Sequence, residues 1–181
     1  MEVTLLILLF ILLSAAFVYV SSLFVWLIFG KGVPFIPLTK KQLKAINRNI
    51  KLKSTDRVVD LGCGDGRVLR MFEKQGVKDL VGYEVNSWIY LLAKAKNKIS
   101  KSKSKIYLKD FKKVNLSEYN IVFCYLSNYY INSLKEKFDK ELRPGTKIIS
   151  YAFWAKNWHE PKIIYTNKEN KKLGKIFIYN C

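Results

Sequence analysis

The longest apolar segment of the chain lies near its N-terminus. Residues 3–29 contain no charged side chain and are rich in Leu, Ile, Phe and Val. As a helix they would extend ~40 Å at about 1.5 Å per residue, against a hydrocarbon core of about 30 Å. We therefore predict a tilted transmembrane helix over residues 3–29. A signal peptide fits less well, because no basic residue precedes the segment and no small-residue cleavage site follows it; a buried core helix is the other alternative.

From residue 39 onward, short apolar strands alternate with helical patterns. The predicted helices are residues 39–49, 66–75, 86–99 and 128–142. The predicted strands are residues 57–61, 80–84, a segment ending at Leu108, 119–125, 147–151, 162–166 and 175–179. Such alternation is typical of an α/β fold with helices on both faces of a mostly parallel sheet. The last two strands are expected to form a closing hairpin.

Two of the connections are too short to hold a full helix. Eleven residues separate Leu108 from Asn120, and ten separate Tyr151 from Lys162. The chain therefore has no room for an inserted substrate domain. We expect an open acceptor side, which suits a protein side chain better than a small enclosed metabolite.

A glycine-rich turn follows the first of these strands, and an acid ends the second. The turn frees the backbone for positive φ and for close approach to a ligand, and the next helix begins there with unpaired N–H groups. Glu84 lies at the carboxyl end of its strand, where ligands bind in open α/β sheets. The candidate cofactor residues of the turn are Asp60, Leu61, Gly62, Cys63, Gly64, Asp65 and Gly66. A carboxylate at Glu84 can accept hydrogen bonds from both hydroxyls of a ribose.

The details of the turn favour S-adenosylmethionine over a dinucleotide. The glycines follow a G-x-G-x-G pattern and not G-x-G-x-x-G. Asp60 stands two residues before the first glycine, and an acid there suits a cofactor that carries an ammonium group better than one that carries a pyrophosphate. An ordinary tight turn between strand and helix is the structural alternative.

The charge of the chain is strongly positive and lies on one side of the apolar segment. There are 32 Lys and Arg against 14 Asp and Glu, a net charge of +18, and every Lys and Arg lies from Lys31 onward. The positive-inside rule then places residues 31–181 in the cytoplasm. The charge itself has three interpretations: nucleic-acid binding, attraction to anionic lipids, and a compositional bias toward Lys and Asn. The three cysteines show no metal spacing, so neither a metal site nor a disulfide is expected.

The loop and Glu84 resemble those of class I methyltransferases, which have a Rossmann-like seven-stranded sheet. In that family the acid matching Asp60 lies near the methionine amino group and the acid matching Glu84 holds the ribose. An acid after the third strand often contacts the adenine, which implies this role for Asp110 with Phe111 beside it. A solvated loop residue is the alternative for Asp110.

The whole chain more specifically resembles the membrane-anchored protein-lysine methyltransferases that modify the ATP synthase c subunit and the adenine nucleotide translocase, with their prokaryotic relatives. The likeness covers the N-terminal apolar segment and residues 34–37, 60–67, 82–86, 122–126 and 141–145. One departure is Leu38, where relatives tend to carry a small hydroxyl residue. The resemblance implies lysine as acceptor and a membrane-associated protein as substrate. The pattern of the chain divides it into the domains 1–30 (anchor), 31–50 (linker and leading helix) and 51–181 (methyltransferase).

Aromatic residues after the fourth and fifth strands are candidates for the acceptor wall. Tyr125 is expected to position the acceptor, and Phe153, Trp154 and Trp158 to line its channel. Simple packing at the sheet edge is the alternative for these rings. An RNA methyltransferase that uses the basic surface is the competing enzyme, although nucleic acid is the less favoured partner. A non-catalytic, membrane-bound cofactor-binding module is the competing class.

Overall fold

The computed structural model describes residues 2–29, 35–156, 158–166 and 174–181. The first four residues of the predicted linker and leading helix (31–50), residues 31–34, lie outside the described residues, as does the loop of the predicted hairpin, 167–173. The helices are α1 Glu2–Phe29, α2 Lys40–Asn49, α3 Arg67–Glu73, α4 Ser87–Ile99, α5 Asn128–Ser133 and α6 Lys135–Glu141. The strands are β1 Arg57–Leu61, β2 Asp79–Glu84, β3 Lys105–Leu108, β4 Ile121–Cys124, β5 Lys147–Tyr151, β6 Lys162–Tyr165 and β7 Lys175–Asn180.

The chain forms two compact units, Met1–Pro34 and Phe35–Cys181. In the first, the stretch Val3–Leu23 of α1 has a mean hydropathy of 2.8 and is long and apolar enough to cross a membrane. Two of its serines bond to the helix itself: the hydroxyl of Ser21 donates to the carbonyl of Phe17 (2.6 Å) and that of Ser22 to the carbonyl of Tyr19 (2.8 Å). A polar group paired in this way can lie in an apolar environment.

The second unit is built on one seven-stranded sheet. The strand order is β3-β2-β1-β4-β5-β7-β6, and every neighbouring pair is parallel except those that involve β7. The carboxyl ends of β1 to β5 therefore lie along one edge of the sheet, which we call the cofactor edge. The predicted Rossmann-like seven-stranded sheet with its closing hairpin is confirmed.

The core lies between this sheet and its helices. Phe72 of α3 meets Phe123 of β4 edge to face, with ring centroids 5.9 Å apart. Thr39 caps α2, and Gln42 completes the cap by accepting a hydrogen bond from the backbone N–H of Thr39 (2.7 Å). The cap fixes where α2 begins, one residue after Thr39.

Two predicted elements differ from the structure. The helix expected over 128–142 is two short helices, α5 and α6, which meet at the buried Leu134. The strand expected over 119–125 is only Ile121–Cys124, because the backbone N–H of Tyr119 bonds to the carbonyl of Leu116 in a turn. The short connection after β3 holds a single 3₁₀ turn, Phe111–Lys113.

Candidate active site

The glycine-rich loop is tied to the neighbouring strand β2. The backbone N–H groups of Gly62 and Cys63 both donate to the carbonyl of Tyr83, at 2.9 and 3.0 Å. A side chain at Gly82 would come within 2.7 Å of the Cys63 sulfur, so the loop and β2 require a glycine there. Leu61, directly before the loop, is fully buried and anchors the end of β1.

Glu84 has a structural task that its place in the sequence did not suggest. One carboxylate oxygen accepts the backbone N–H of Gly64 (3.0 Å), and the other accepts those of Val85 and Asn86 (2.9 Å each). Carboxylate oxygens have further lone pairs, so the same group can still accept ribose hydroxyls. Glu84 thus joins the end of β2 to the glycine-rich loop.

Asp60 is a buried acid at the end of β1. Its residue is 2% exposed, and no donor in the described part of the chain hydrogen-bonds its carboxyl. Burial, followed by the nearby charges of Glu84 and Asp65, raises the pKa of Asp60 to about 8. A buried carboxyl without a donor fits a cationic group such as the ammonium of S-adenosylmethionine.

Asp65 differs from Asp60 because it has internal partners. Its carboxylate forms ion pairs with Arg67 (2.7 Å) and Lys96 (2.6 Å). Burial raises its pKa, but the hydrogen bonds from these two cations outweigh burial and lower the pKa to about 2. Asp65 therefore fastens the loop to α3 and α4. Gly66 directly follows it and caps α3.

The cysteine of the loop is inert. The Cys63 side chain is buried, and burial first, then the charges of Asp60 and Glu84, raise the pKa of its thiol well above the ordinary value. Burial does the same for the pKa of Cys124 in β4. Neither thiol ionises easily, so neither suits the role of a nucleophile.

The residues predicted to contact adenine lie at the same edge, after β3. Asp110 is half-buried, and one of its oxygens accepts the backbone N–H of Lys112 (2.9 Å), which begins the 3₁₀ turn. Phe111 beside it is buried. This places an acid and a ring on the far side of β2 from Asp60, as an extended nucleoside ligand would require.

A segment ahead of α2 covers part of the glycine-rich loop. A side chain at Gly64, where φ is +55°, would come within 2.5 Å of the Phe35 ring. The guanidinium of Arg67 donates to the carbonyl of Leu38 and holds the segment from its other end. Sequence reasoning assigned residues 34–37 to the linker and to the family resemblance, and it did not predict this contact.

Three rings cluster where β4 and β5 end. The Tyr125 ring lies 5.7 Å from that of Tyr151 and 5.8 Å from that of Phe153. Trp154 is 47% exposed and lines a cavity of about 570 Å³ with Tyr151 and Gln42. Tyr125 and Phe153 are therefore brought together at the cofactor edge, and Trp154 lines a cavity with Tyr151, the third ring of the cluster.

Trp158 lies apart from this cluster. Its ring packs edge to face on those of Phe138 (5.2 Å) and Tyr179 (4.9 Å), and it lines a different cavity of about 410 Å³. The predicted grouping of Trp158 with Phe153 and Trp154 is not what the structure has.

The backbone after β5 is strained. Ala152 has φ of +69°, a left-handed conformation that costs a non-glycine residue about 1–3 kcal/mol. The segment is fixed on both sides: the buried Ser150 hydroxyl donates to the carbonyl of Phe153 (2.7 Å), and the N–H of Ala155 donates to the Tyr179 hydroxyl (3.0 Å). Nothing in the sequence signals this, because an alanine does not mark a left-handed position.

Comparison with known proteins adds the family. The model of the ANTKMT methyltransferase domain matches residues 60–162. A protein-lysine N-methyltransferase of Saccharolobus islandicus (strain REY15A) is 33% identical over 151 residues, which are 81% of this chain and 92% of the relative. The Homo sapiens lysine N-methyltransferase of the ATP synthase c subunit is 30% identical over 128 residues, 70% of this chain, and the match spans only about half, 54%, of that relative.

A solved structure shows the same fold. An RNA methyltransferase from Salinibacter ruber, in complex with S-adenosyl-L-homocysteine, superposes with a TM-score of 0.70 at 22% identity, over 80% of this chain and 93% of that one. Since the family match at residues 60–162 covers more than half of the 181 residues, this chain belongs to the ANTKMT methyltransferase domain family and is an S-adenosylmethionine-dependent methyltransferase.

Proposed function

We propose that this methyltransferase modifies a lysine side chain of a membrane or membrane-associated protein. The observation that carries the proposal is the ring cluster of Tyr125, Tyr151 and Phe153, which lies at the same sheet edge as Asp60 and Glu84. The names of the Saccharolobus and human relatives, both lysine N-methyltransferases, support the same acceptor.

Residues of the glycine-rich loop and of the strand ends would bind the cofactor. S-adenosylmethionine supplies an activated methyl group. Asp60 holds the ammonium of the cofactor, and Glu84 accepts the ribose hydroxyls while keeping the loop in place. Asp110 and Phe111 bound the adenine. Gly62 and Gly64, with Leu61, Cys63, Asp65 and Gly66, form the backbone surface along which the cofactor lies.

The acceptor side suits an amine that has lost its proton. A lysine must be neutral to act as a nucleophile, and burial against rings favours the neutral form. The cavity beside Trp154 is lined by no carboxylate in the described part of the chain, and its charged side chain is Lys175. A like charge also lowers the pKa of an entering lysine. Tyr125, between Tyr151 and Phe153, would position the amine.

The membrane part of the proposal rests on α1 and on the charge. α1 would form the membrane anchor, residues 1–30, followed by a linker and leading helix (31–50) and the methyltransferase domain (51–181). The excess of Lys and Arg from Lys31 onward supports a single-pass topology with the methyltransferase domain in the cytoplasm. An acceptor lysine close to the bilayer surface would then be within reach.

The test compares membranes from cells with the chain, without it, and with the variant Glu84→Gln. We expect mass spectrometry to find a membrane protein whose lysine gains methyl groups with the unaltered chain, gains fewer with Glu84→Gln, and gains none without the chain. Labelled cofactor added to the same lysates checks the acceptor class. Label in RNA and not in protein would overturn the lysine assignment, and label in soluble proteins alone would overturn the membrane assignment. Cofactor binding without any labelled product would favour a non-catalytic module.

A further inference from the structure

Helix α4 is apolar on two opposite sides, and the core accounts for only one of them. The inner side carries the buried Ala93 and Asn97 and packs against β2 and β3. The outer side carries four large apolar residues that we call the α4 stripe: Trp88, Leu91, Leu92 and Ile99, which are 76%, 55%, 39% and 82% exposed. At 3.6 residues per turn they lie along one side of the helix, facing away from the core.

So many exposed apolar side chains on one side of a helix indicate that another molecule covers them. Single apolar residues are common on protein surfaces, but a continuous stripe with a tryptophan at one end marks an interaction surface. Within the described residues, the α4 stripe contributes nothing to the hydrophobic core that holds the sheet and its helices together.

The charged residues of α4 itself and of the segment that follows it are all lysines. Residues 85–109 contain seven lysines and no acid. Lys94 and Lys98 flank the stripe and are exposed, and Lys101 and Lys103 follow in the turn after α4, also exposed. Lys96 differs, because it forms the ion pair with Asp65.

We propose that the α4 stripe binds the surface of an anionic bilayer. Trp88 and the two leucines would enter the boundary between headgroups and acyl chains, where amphipathic helices bury their apolar side. The lysines beside them would meet lipid phosphates, to which such clusters are attracted. The absence of any acid over residues 85–109 favours this partner over a protein surface, which carries charges of both signs.

Binding of α4 to a bilayer would also determine where the cofactor edge lies. Asn86 caps α4 and directly follows Val85, whose N–H bonds to Glu84, so the stripe begins four residues beyond the acid at the cofactor edge. A bilayer bound to α4 would hold that edge at the membrane surface. The proposal concerns lipid contact alone, so it stands or falls separately from the identity of the acceptor.

The test uses the full chain in lipid nanodiscs of phosphatidylcholine and phosphatidylglycerol, with acyl chains that carry bromine. Bromine quenches a tryptophan that it touches. The chain has four tryptophans, and Trp26→Phe first removes the one in α1. We expect bromine to quench part of the remaining emission, and Trp88→Phe to abolish that part. Trp158→Phe, which also removes one tryptophan but leaves α4 unchanged, should keep it.

A second pair of variants tests the stripe without removing a tryptophan. Leu91→Gln with Leu92→Gln should reduce the quenching of Trp88, whereas Ile163→Gln, at another exposed apolar residue, should not. Omitting phosphatidylglycerol should lower the quenching as well. Equal quenching with and without Trp88 would overturn the proposal. So would a crosslinked dimer that the leucine variants abolish, since a second copy of the chain would then cover the stripe.

Discussion

Replacing Asp60 by asparagine should stabilise the protein while it weakens cofactor binding. The carboxyl of Asp60 is buried without a hydrogen-bond donor in the described residues, and its pKa is raised from 3.8 to about 8. Between these two values the folded state holds about one proton more than the unfolded state. The free energy of unfolding therefore falls by about 1.4 kcal/mol for each pH unit over this window.

The expected change in the free energy of unfolding follows from the pH range between these two pKa values. Between pH 4 and pH 7 the loss amounts to about 4 kcal/mol, and it is complete once the pH has passed the folded pKa of about 8. Asparagine has nearly the same shape and does not ionise. Asp60→Asn should therefore match the unaltered chain near pH 4 and exceed its stability by up to about 4 kcal/mol at pH 7.

Cofactor binding should release the proton that the buried Asp60 carboxyl holds in the free protein. If the ammonium of S-adenosylmethionine pairs with the Asp60 carboxylate, binding near pH 6.5 must release about one proton. Calorimetry in two buffers of different ionisation enthalpy measures this number directly. The release should vanish well above pH 8, and Asp60→Asn should bind more weakly and release none.

Two results would refute this reasoning. One is a stability of the unaltered chain that does not change between pH 5 and pH 8. The other is an Asp60→Asn variant that binds cofactor as tightly as the unaltered chain. Glu160→Gln serves as the control, since it removes one negative charge at an exposed residue and should leave both the pH slope and the proton release unchanged.

Three further variants test the site. Gly64→Ala should lower stability by more than Gly76→Ala, because its new methyl would lie 2.5 Å from the Phe35 ring and displace it, whereas Gly76→Ala has open space and should lose only the backbone contribution of about 1 kcal/mol. Thermal unfolding compares the two variants. Ala152→Gly relieves backbone strain but makes the segment more flexible, so these two effects should cancel to within about 1 kcal/mol of stability. The KM for the acceptor should rise while the Kd for the cofactor stays constant. A raised cofactor Kd would contradict this prediction. Glu84→Gln keeps one oxygen that can accept a hydrogen bond, either from Gly64 or from Val85, but it cannot accept from both. We expect calorimetry to show a cofactor affinity about tenfold lower, and Glu84→Ala to bind more weakly still. Equal affinities would show that the carboxylate has no such role.

The sheet could be predicted because its signals are local. Each buried strand is a short apolar run, and the turn after β1 is marked by three glycines within five residues. The acid at the end of β2 and the short connections followed from counting alone. These features fixed the cofactor edge and the order of the elements.

What could not be predicted depends on contacts between distant residues. The carboxylate of Glu84 bonds to Gly64, twenty residues earlier in the chain, and no pattern in the sequence records such a pairing. The rings of Trp154 and Trp158 look alike in sequence, yet the turn around Ala155 sends them to different cavities. In the sequence Asp65 is simply an acid of the loop, and nothing there indicates its ion pair with Lys96 of α4.

The position of β7 makes the acceptor side of the site depend on the last strand of the chain. Among the described strands, β6 pairs only with β7, and β7 lies between β5 and β6. The glycine-rich loop follows β1, whose neighbours in the sheet are β2 and β4. The cavity beside Trp154 is different, since its wall includes Lys175 and Phe177 of β7. A change that detaches the β6–β7 hairpin would thus remove part of the acceptor cavity while leaving in place the strands that carry the cofactor residues.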